Sequence, residues 1–274
     1  LQHKQIPVDF VDEFMVENGA LKNYKVAVLS AQYLRKATKR AIADWVNNGG
    51  NLWMDGLPAT CDEYGQNCEL LLPVIGIKDI TVVDSTINRS LNPQRGIYPA
   101  IITGLIYLDN NETIAGVGRR ISFKPINPSK TKIIARWQDG APAIIQHAYG
   151  KGSVFYAGTY LGHSYNNGVE RIPGKIEKGY TEKERNIITD FILKSGVSIP
   201  VWCSVGCIQT DLLETQQGAG IVLSNYSGNP QKQIDITVDA KKPITSVNSV
   251  EQGALKFSQD EKNKTVTFSL PLNV

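Results

Sequence analysis

Residues 24–56, YKVAVLSAQYLRKATKRAIADWVNNGGNLWMDG, constrain the fold more than any other stretch of the chain. Val26, Ala27, Val28 and Leu29 form a continuous apolar run, the pattern of a strand buried on both faces of a parallel sheet. Ala37, Ala41, Ile42, Trp45 and Val46 follow at helical spacing, with Lys36, Lys39, Arg40 and Asp44 between them as a polar face. Asn47-Asn48-Gly49-Gly50 stops that helix, since glycine takes the left-handed cap conformation at little cost. Leu52, Trp53 and Met54 open a second strand. Strand, crossover helix and strand together predict a βαβ unit and an α/β sheet. A fold alone carries no chemistry.

The rest of the chain is read against that unit. Its 274 residues leave room for one large domain or two ordinary ones, and 42% hydrophobic with 20% charged residues is a globular composition. A net charge of +3 gives no case for nucleic acid or an anionic membrane as partner. No apolar run approaches the roughly 20 residues of a bilayer span. Residues 1–5 read as the stub of an earlier helix, so the expectation is a chain truncated at its N-terminus. The four cysteines form two local pairs, Cys61 with Cys68 and Cys203 with Cys207. Each could close a short disulfide in an oxidising compartment or remain two buried thiols.

Ile6 to Val11 reads as a short strand ahead of the polar turn Glu17-Asn18-Gly19-Ala20. After Gly56 comes a loop to Glu69, then an apolar helix end or turn over Leu70–Ile77. Ile80–Val83, Ile101–Leu108, Ile121–Phe123 and Ile133–Trp137 are short runs separated by Asn, Asp, Gly and Pro, a β-rich insertion or edge. Ala143–Tyr149, Gly150-Lys151-Gly152 and Ser153–Gly158 predict a hairpin. A polar loop runs from Gly162 to Lys178, and Thr181 with Glu184 at capping-box spacing opens a helix through Ile192. Beyond Ile199-Pro200 helical periodicity stops. Short strands at regular intervals from Cys207 to Leu270 predict an antiparallel β-sandwich.

Asp9-Phe10-Val11, residues 23–56 and GAPAIIQHAYGKGSVFYAGTYLGHSY resemble the trimerisation domain of glycoside hydrolase family 42 β-galactosidases. LLETQQGAGIVLSNYSGNPQKQIDITV is similar to the small β-domain that closes those enzymes. The resemblance implies a flavodoxin-like open sheet of the class I glutamine amidotransferase type over 1–198, N-terminally truncated, and a C-terminal antiparallel β-sandwich over 199–274. It implies a non-catalytic assembly region whose partners are further copies of itself or an upstream TIM barrel, with carbohydrate as a further partner class. Catalysis in that family belongs to the barrel, which needs about 250 residues of its own. Family habit and even cysteine pairs set the expectation of a secreted or periplasmic protein.

An amidotransferase-like fold raises the question of a cysteine nucleophile on a strand-to-helix elbow. Strand alignment puts that elbow at Asp55-Gly56-Leu57, which has no cysteine; Cys61 lies further on, between Thr60 and Asp62. A thiolate also needs a base or positive surroundings. His163-Ser164-Tyr165 lacks the Pro and Glu that follow the histidine in amidotransferases, so Cys61 with His163 defines the alternative, a hydrolase. Asp55, at a strand's carboxyl end, stands where α/β sheets place functional groups, though the commoner use of an Asp before glycine is to cap a turn. His3 and His147 complete three scattered histidines without metal-ligand spacing, so neither metal nor cofactor is expected. Gly116-Val117-Gly118-Arg119-Arg120 lacks the third glycine of a dinucleotide loop. Trp137, Tyr160 and Tyr165 are aromatics that could stack on sugars, the third reading, a carbohydrate-binding module.

Overall fold

A computed structural model describes residues 1–84, 102–110, 112–169 and 179–273. The helices are α1 (Glu13–Glu17), α2 (Lys36–Asn47), α3 (Leu72–Ile75), α4 (Leu161–Asn166) and α5 (Glu182–Lys194). The first strands are β1 (Val26–Tyr33), β2 (Asn51–Cys61), β3 (Ile77–Asp84), β4 (Ile102–Leu108), β5 (Thr113–Val117), β6 (Arg119–Pro125), β7 (Thr131–Trp137), β8 (Pro142–Tyr149) and β9 (Gly152–Ala157). The later ones are β10 (Val201–Cys203), β11 (Ile208–Glu214), β12 (Ala219–Asn225), β13 (Gln231–Asp239), β14 (Val247–Ser249), β15 (Gly253–Leu255), β16 (Phe257–Asp260) and β17 (Thr265–Leu272). Contacts divide the chain into two compact units, 10–167 with 186–197, and 1–9 with 168–185 and 198–274.

The first of these is built on a seven-stranded mixed sheet of order β1-β2-β9-β8-β7-β4-β5. Only β1, β2 and β9 run parallel; β8, β7, β4 and β5 are added antiparallel. A separate antiparallel pair, β3 with β6, accompanies it. The expected flavodoxin-like, amidotransferase-like open sheet is therefore met only in its parallel core and α2 crossover. Most of the sheet is antiparallel, and among the described residues only α2 and α5 exceed ten residues. The hairpin expected at 143–158 is present, with Tyr149 paired to Gly152 across the turn. The short runs of the β-rich insertion became β3, β4, β6 and β7; Ile101 lies outside the described residues.

Leu52, Met54, Val154 and Tyr156 face α2 and α3, where Ile42, Val46, Val74 and Ile75 complete a core. The opposite face carries Trp53 stacked on Phe155 at 5.6 Å, and Phe155 meets Phe191 of α5 at 5.8 Å. Two expectations fail here. Val28 is 49% exposed, because β1 is an edge strand and only Ala27 and Leu29 pack against the core. Ile6 to Val11 forms no strand; Pro7 removes one ladder donor, and Gln5 just before takes a left-handed φ of 54°.

In the other unit β10, β13, β17 and β16 form a four-stranded antiparallel sheet, and β11 with β12 and β14 with β15 form two hairpins. Val201, Ile208, Ile234, Ile236, Val266 and Phe268 share one core, against which Leu212, Ile221 and Leu223 of the first hairpin pack. The antiparallel pairing expected of a sandwich is present, on strands shorter and more divided than a regular two-sheet sandwich has. The Gln5 side chain, 4% exposed, donates to Ile208 O at 3.0 Å, so the first residues of the chain belong to this core.

Candidate functional site

The carboxyl ends of β2 and β9 are where an α/β sheet holds its chemistry. Pairing of β2 with β9 ends at Asp55–Ala157, yet β2 does not turn into a helix there. It continues beside β1 to Cys61 through two register shifts, with Gly56 at φ 66° and Ala59 at φ 49°. The elbow expected at Asp55-Gly56-Leu57 is thus a bend within a strand. Gly56 is required: a Cβ would sit 2.1 Å from the Tyr160 ring.

Asp55 is 4% exposed, and its Oδ2 accepts the Leu161 N–H at 2.9 Å, at the first turn of α4. Burial pushes its carboxyl above the usual range; the Ser30 hydroxyl, the N–H groups of Leu161 and Gly162 and the His163 charge oppose that shift. Tyr156, wholly buried, donates to Gly56 O at 2.8 Å, and burial holds its phenol well above the ordinary value. Thr159 Oγ1 accepts the Val117 N–H at 3.1 Å and donates to Val117 O at 3.2 Å, while Thr159 O accepts the Gly56 N–H at 3.0 Å. Asp55 Oδ1 is buried without a hydrogen-bond partner, while Asp55 Oδ2, Tyr156 and Thr159 are answered by backbone, so β2, β5, β9 and α4 are tied together. The arrangement braces the chain. The segment expected as loop from Gly162 thus begins with α4; residues 170–178 lie outside the described ones.

Of the three candidate residues, Asp55 and His163 come together at this end. His163 is exposed, and its ring lies 5.4 Å from that of Tyr160. Cys61 belongs to a different cluster. Its carbonyl accepts from Leu34 N at 3.1 Å and from Lys39 Nζ at 2.9 Å, and the same ammonium donates to Cys68 O at 2.7 Å. Lys39 is fully buried, against the sequence reading of it as part of a polar face. Asp62 Oδ1 accepts from Tyr64 N at 3.0 Å and Gln66 N at 2.8 Å, and its Oδ2 pairs with Lys36 at 2.9 Å. That lysine holds the Asp62 carboxyl below the usual range. All four cysteines are free thiols. Cys61 bridges to Asn67, which sets Cys68 opposite Thr60 and its side chain on the other face.

A cysteine–histidine contact that the sequence did not announce joins Cys207 Sγ to His3 Nδ1 at 3.5 Å, with Arg185 Nη2 at 3.9 Å from the sulfur. The two are 204 residues apart, so no local pattern could signal it. Burial first, then neighbouring positive charge, pushes the His3 imidazole down to about 4. Near neutral pH it is uncharged, and Cys207 is 1% exposed, which is the setting of a packed thiol. Trp137 is likewise buried at 1%, lying under Gly104 and Gly116 with Arg120 over its ring. Among the described residues no group of three or more His, Cys, Asp or Glu could hold a metal ion.

Comparison with known proteins places this architecture. The family described as Beta-galactosidase trimerisation domain matches residues 1–171. A Beta-1,2-glucosyltransferase of Ignavibacterium album is 26% identical over 185 residues, 67% of this chain and 23% of that protein. Among solved structures, Gan42B, a GH42 beta-galactosidase from G. stearothermophilus, aligns with 99% of this chain at TM-score 0.65 and 13% identity. The beta-galactosidase of Rahnella sp. R3 aligns over 99% at TM-score 0.64 and 14% identity. The chain spans 34% and 35% of those two structures and 23% of the curated relative.

Proposed function

Since the chain belongs to the β-galactosidase trimerisation domain family, we propose that it is the assembly region of a larger glycoside hydrolase. In this reading it associates with further copies of itself and adjoins a TIM-barrel domain that cleaves the sugar. The observation that carries the proposal is the family match, together with a fold shared over nearly the whole chain with a third of a GH42 β-galactosidase. The site agrees with it: Asp55, the best-placed carboxyl, is engaged in holding α4. The parallel core β1-β2-β9 with α2 supports a flavodoxin-like origin extended by antiparallel strands. A secreted or periplasmic setting belongs to the same proposal and rests on the even cysteine pairs and family habit.

Light scattering after size exclusion tests the assembly role. A mass that is a multiple of 30.1 kDa is expected for the 274-residue chain, or of the corresponding protomer when the barrel is attached. A strict monomer in both forms overturns it.

A further inference from the structure

The amino ends of β1 and β2 border a cavity of about 430 Å3, within the roughly 300–1,000 Å3 of small-molecule sites. Two half-buried aromatic rings, Tyr24 and Trp45, line it. The Trp45 indole lies flat on Gly50, where a Cβ would meet ring carbons at 2.2 and 2.3 Å. Gly50 therefore lets a ring occupy the cavity wall.

The polar lining is made mostly of oriented acceptors. Asn48 Nδ2 donates to Asp44 O at 2.9 Å, and Asn51 Nδ2 to Lys25 O at 3.2 Å. Those bonds fix both amides and turn each side-chain oxygen into a placed acceptor. Ser195 Oγ donates to Phe191 O at 2.8 Å, which leaves its lone pairs. The Lys25 ammonium donates to Gly196 O, and among the described lining residues there is no carboxylate. The lining bears the one positive charge of Lys25, so a ligand for this wall carries no positive charge, offers several O–H donors and has an apolar face to lay on a ring.

We infer that the cavity binds a neutral saccharide, with one hexopyranose against Trp45 and its hydroxyls donating to the side-chain oxygens of Asn48 and Asn51. This goes beyond the assembly role and does not depend on it. The site is open, so the affinity is on the order of millimolar.

The test is an NMR titration of the 274-residue chain with D-galactose and D-glucose, with sorbitol as an acyclic polyol control. Saturable shifts at the Trp45 indole and residues 48–51, from a hexose and not from sorbitol, are expected. Asn48→Ala, at an exposed position, weakens that affinity about 3- to 10-fold and leaves the rest of the spectrum in place. Trp45→Phe keeps a smaller ring and gives intermediate affinity. No saturable shift with either hexose, an equal response to sorbitol, or an Asn48→Ala chain that binds unchanged would each overturn the proposal. None of these outcomes bears on the mass of the assembly.

Discussion

The two ends of β2 differ in what they do with a glycine beside an aromatic ring. At the carboxyl end Gly56 takes φ 66° against Tyr160, and the surrounding groups are locked to one another through Asp55, Tyr156 and Thr159. At the amino end Gly50 lies under Trp45 without a left-handed backbone, and open space adjoins the ring. Open α/β sheets usually bind ligands at the carboxyl ends of their strands. Here that end holds the polypeptide together, and the room lies at the other.

The contrast breaks first on the glycines. Gly56→Val forces a β-branched residue into the left-handed region and into the Tyr160 ring, and costs about 3–5 kcal/mol. Gly50→Ala pushes Trp45 toward the cavity instead and costs about 1 kcal/mol. Equal losses in urea melts of the two variants would erase the difference between the ends. Next in size is Lys39→Met, which leaves the carbonyls of Cys61 and Cys68 without their donor and costs about 2–3 kcal/mol. A loss no larger than that of an exposed lysine such as Lys151→Met would show that the clamp contributes little.

Acid titration sharpens the comparison further. The Asp55 carboxyl is raised in the folded state, so the fold binds its proton more tightly than the unfolded chain. Its contribution is most favourable below the unfolded value of 3.8 and declines as pH climbs toward the raised folded value. Asp55→Asn keeps an acceptor for Leu161 and should flatten that decline without lowering stability at neutral pH. Asp62 is depressed by Lys36, so its contribution is present above 3.8 and disappears as pH falls through its lower folded value. Asp62→Asn should remove that acid loss, and thermal melts across pH compare the two variants. The smallest effect is kinetic: Cys61, half-buried, should react with a disulfide reagent before Cys68, Cys203 and Cys207, all buried. Simultaneous reaction of all four would mean that the carboxyl end opens as readily as the rest.

The parallel core was legible because its determinants are local. The run Val26–Leu29, the spacing of Ile42 and Val46 and the Gly49-Gly50 stop lie within one stretch, and they built β1, α2 and β2 as read. The strands from 208 to 272 were legible for the same reason, through alternation and turn residues. What sequence missed depends on distant partners. Lys39 looked solvated because the carbonyls that bury it belong to residues 22 and 29 positions away. Asp55 could be placed at a strand end, but its work is with Leu161, 106 positions on. The extra strand length from Gly56 to Cys61 was hidden by Gly and Pro, which read as loop and are here absorbed by bulges against β1. The exposure of Val28 follows from β1 being at an edge, a fact of the whole sheet and not of its own sequence.

The Lys39 ammonium does for the loop between Cys61 and Cys68 what a calcium ion does for loops that wrap a metal, gathering carbonyl oxygens around one positive centre. Unlike an ion it is tethered to α2 and cannot be chelated away or supplied from solution. The loop is therefore not a portable piece. Grafted onto another scaffold, residues 61–68 would keep their shape only if the helix that carries their cation travelled with them.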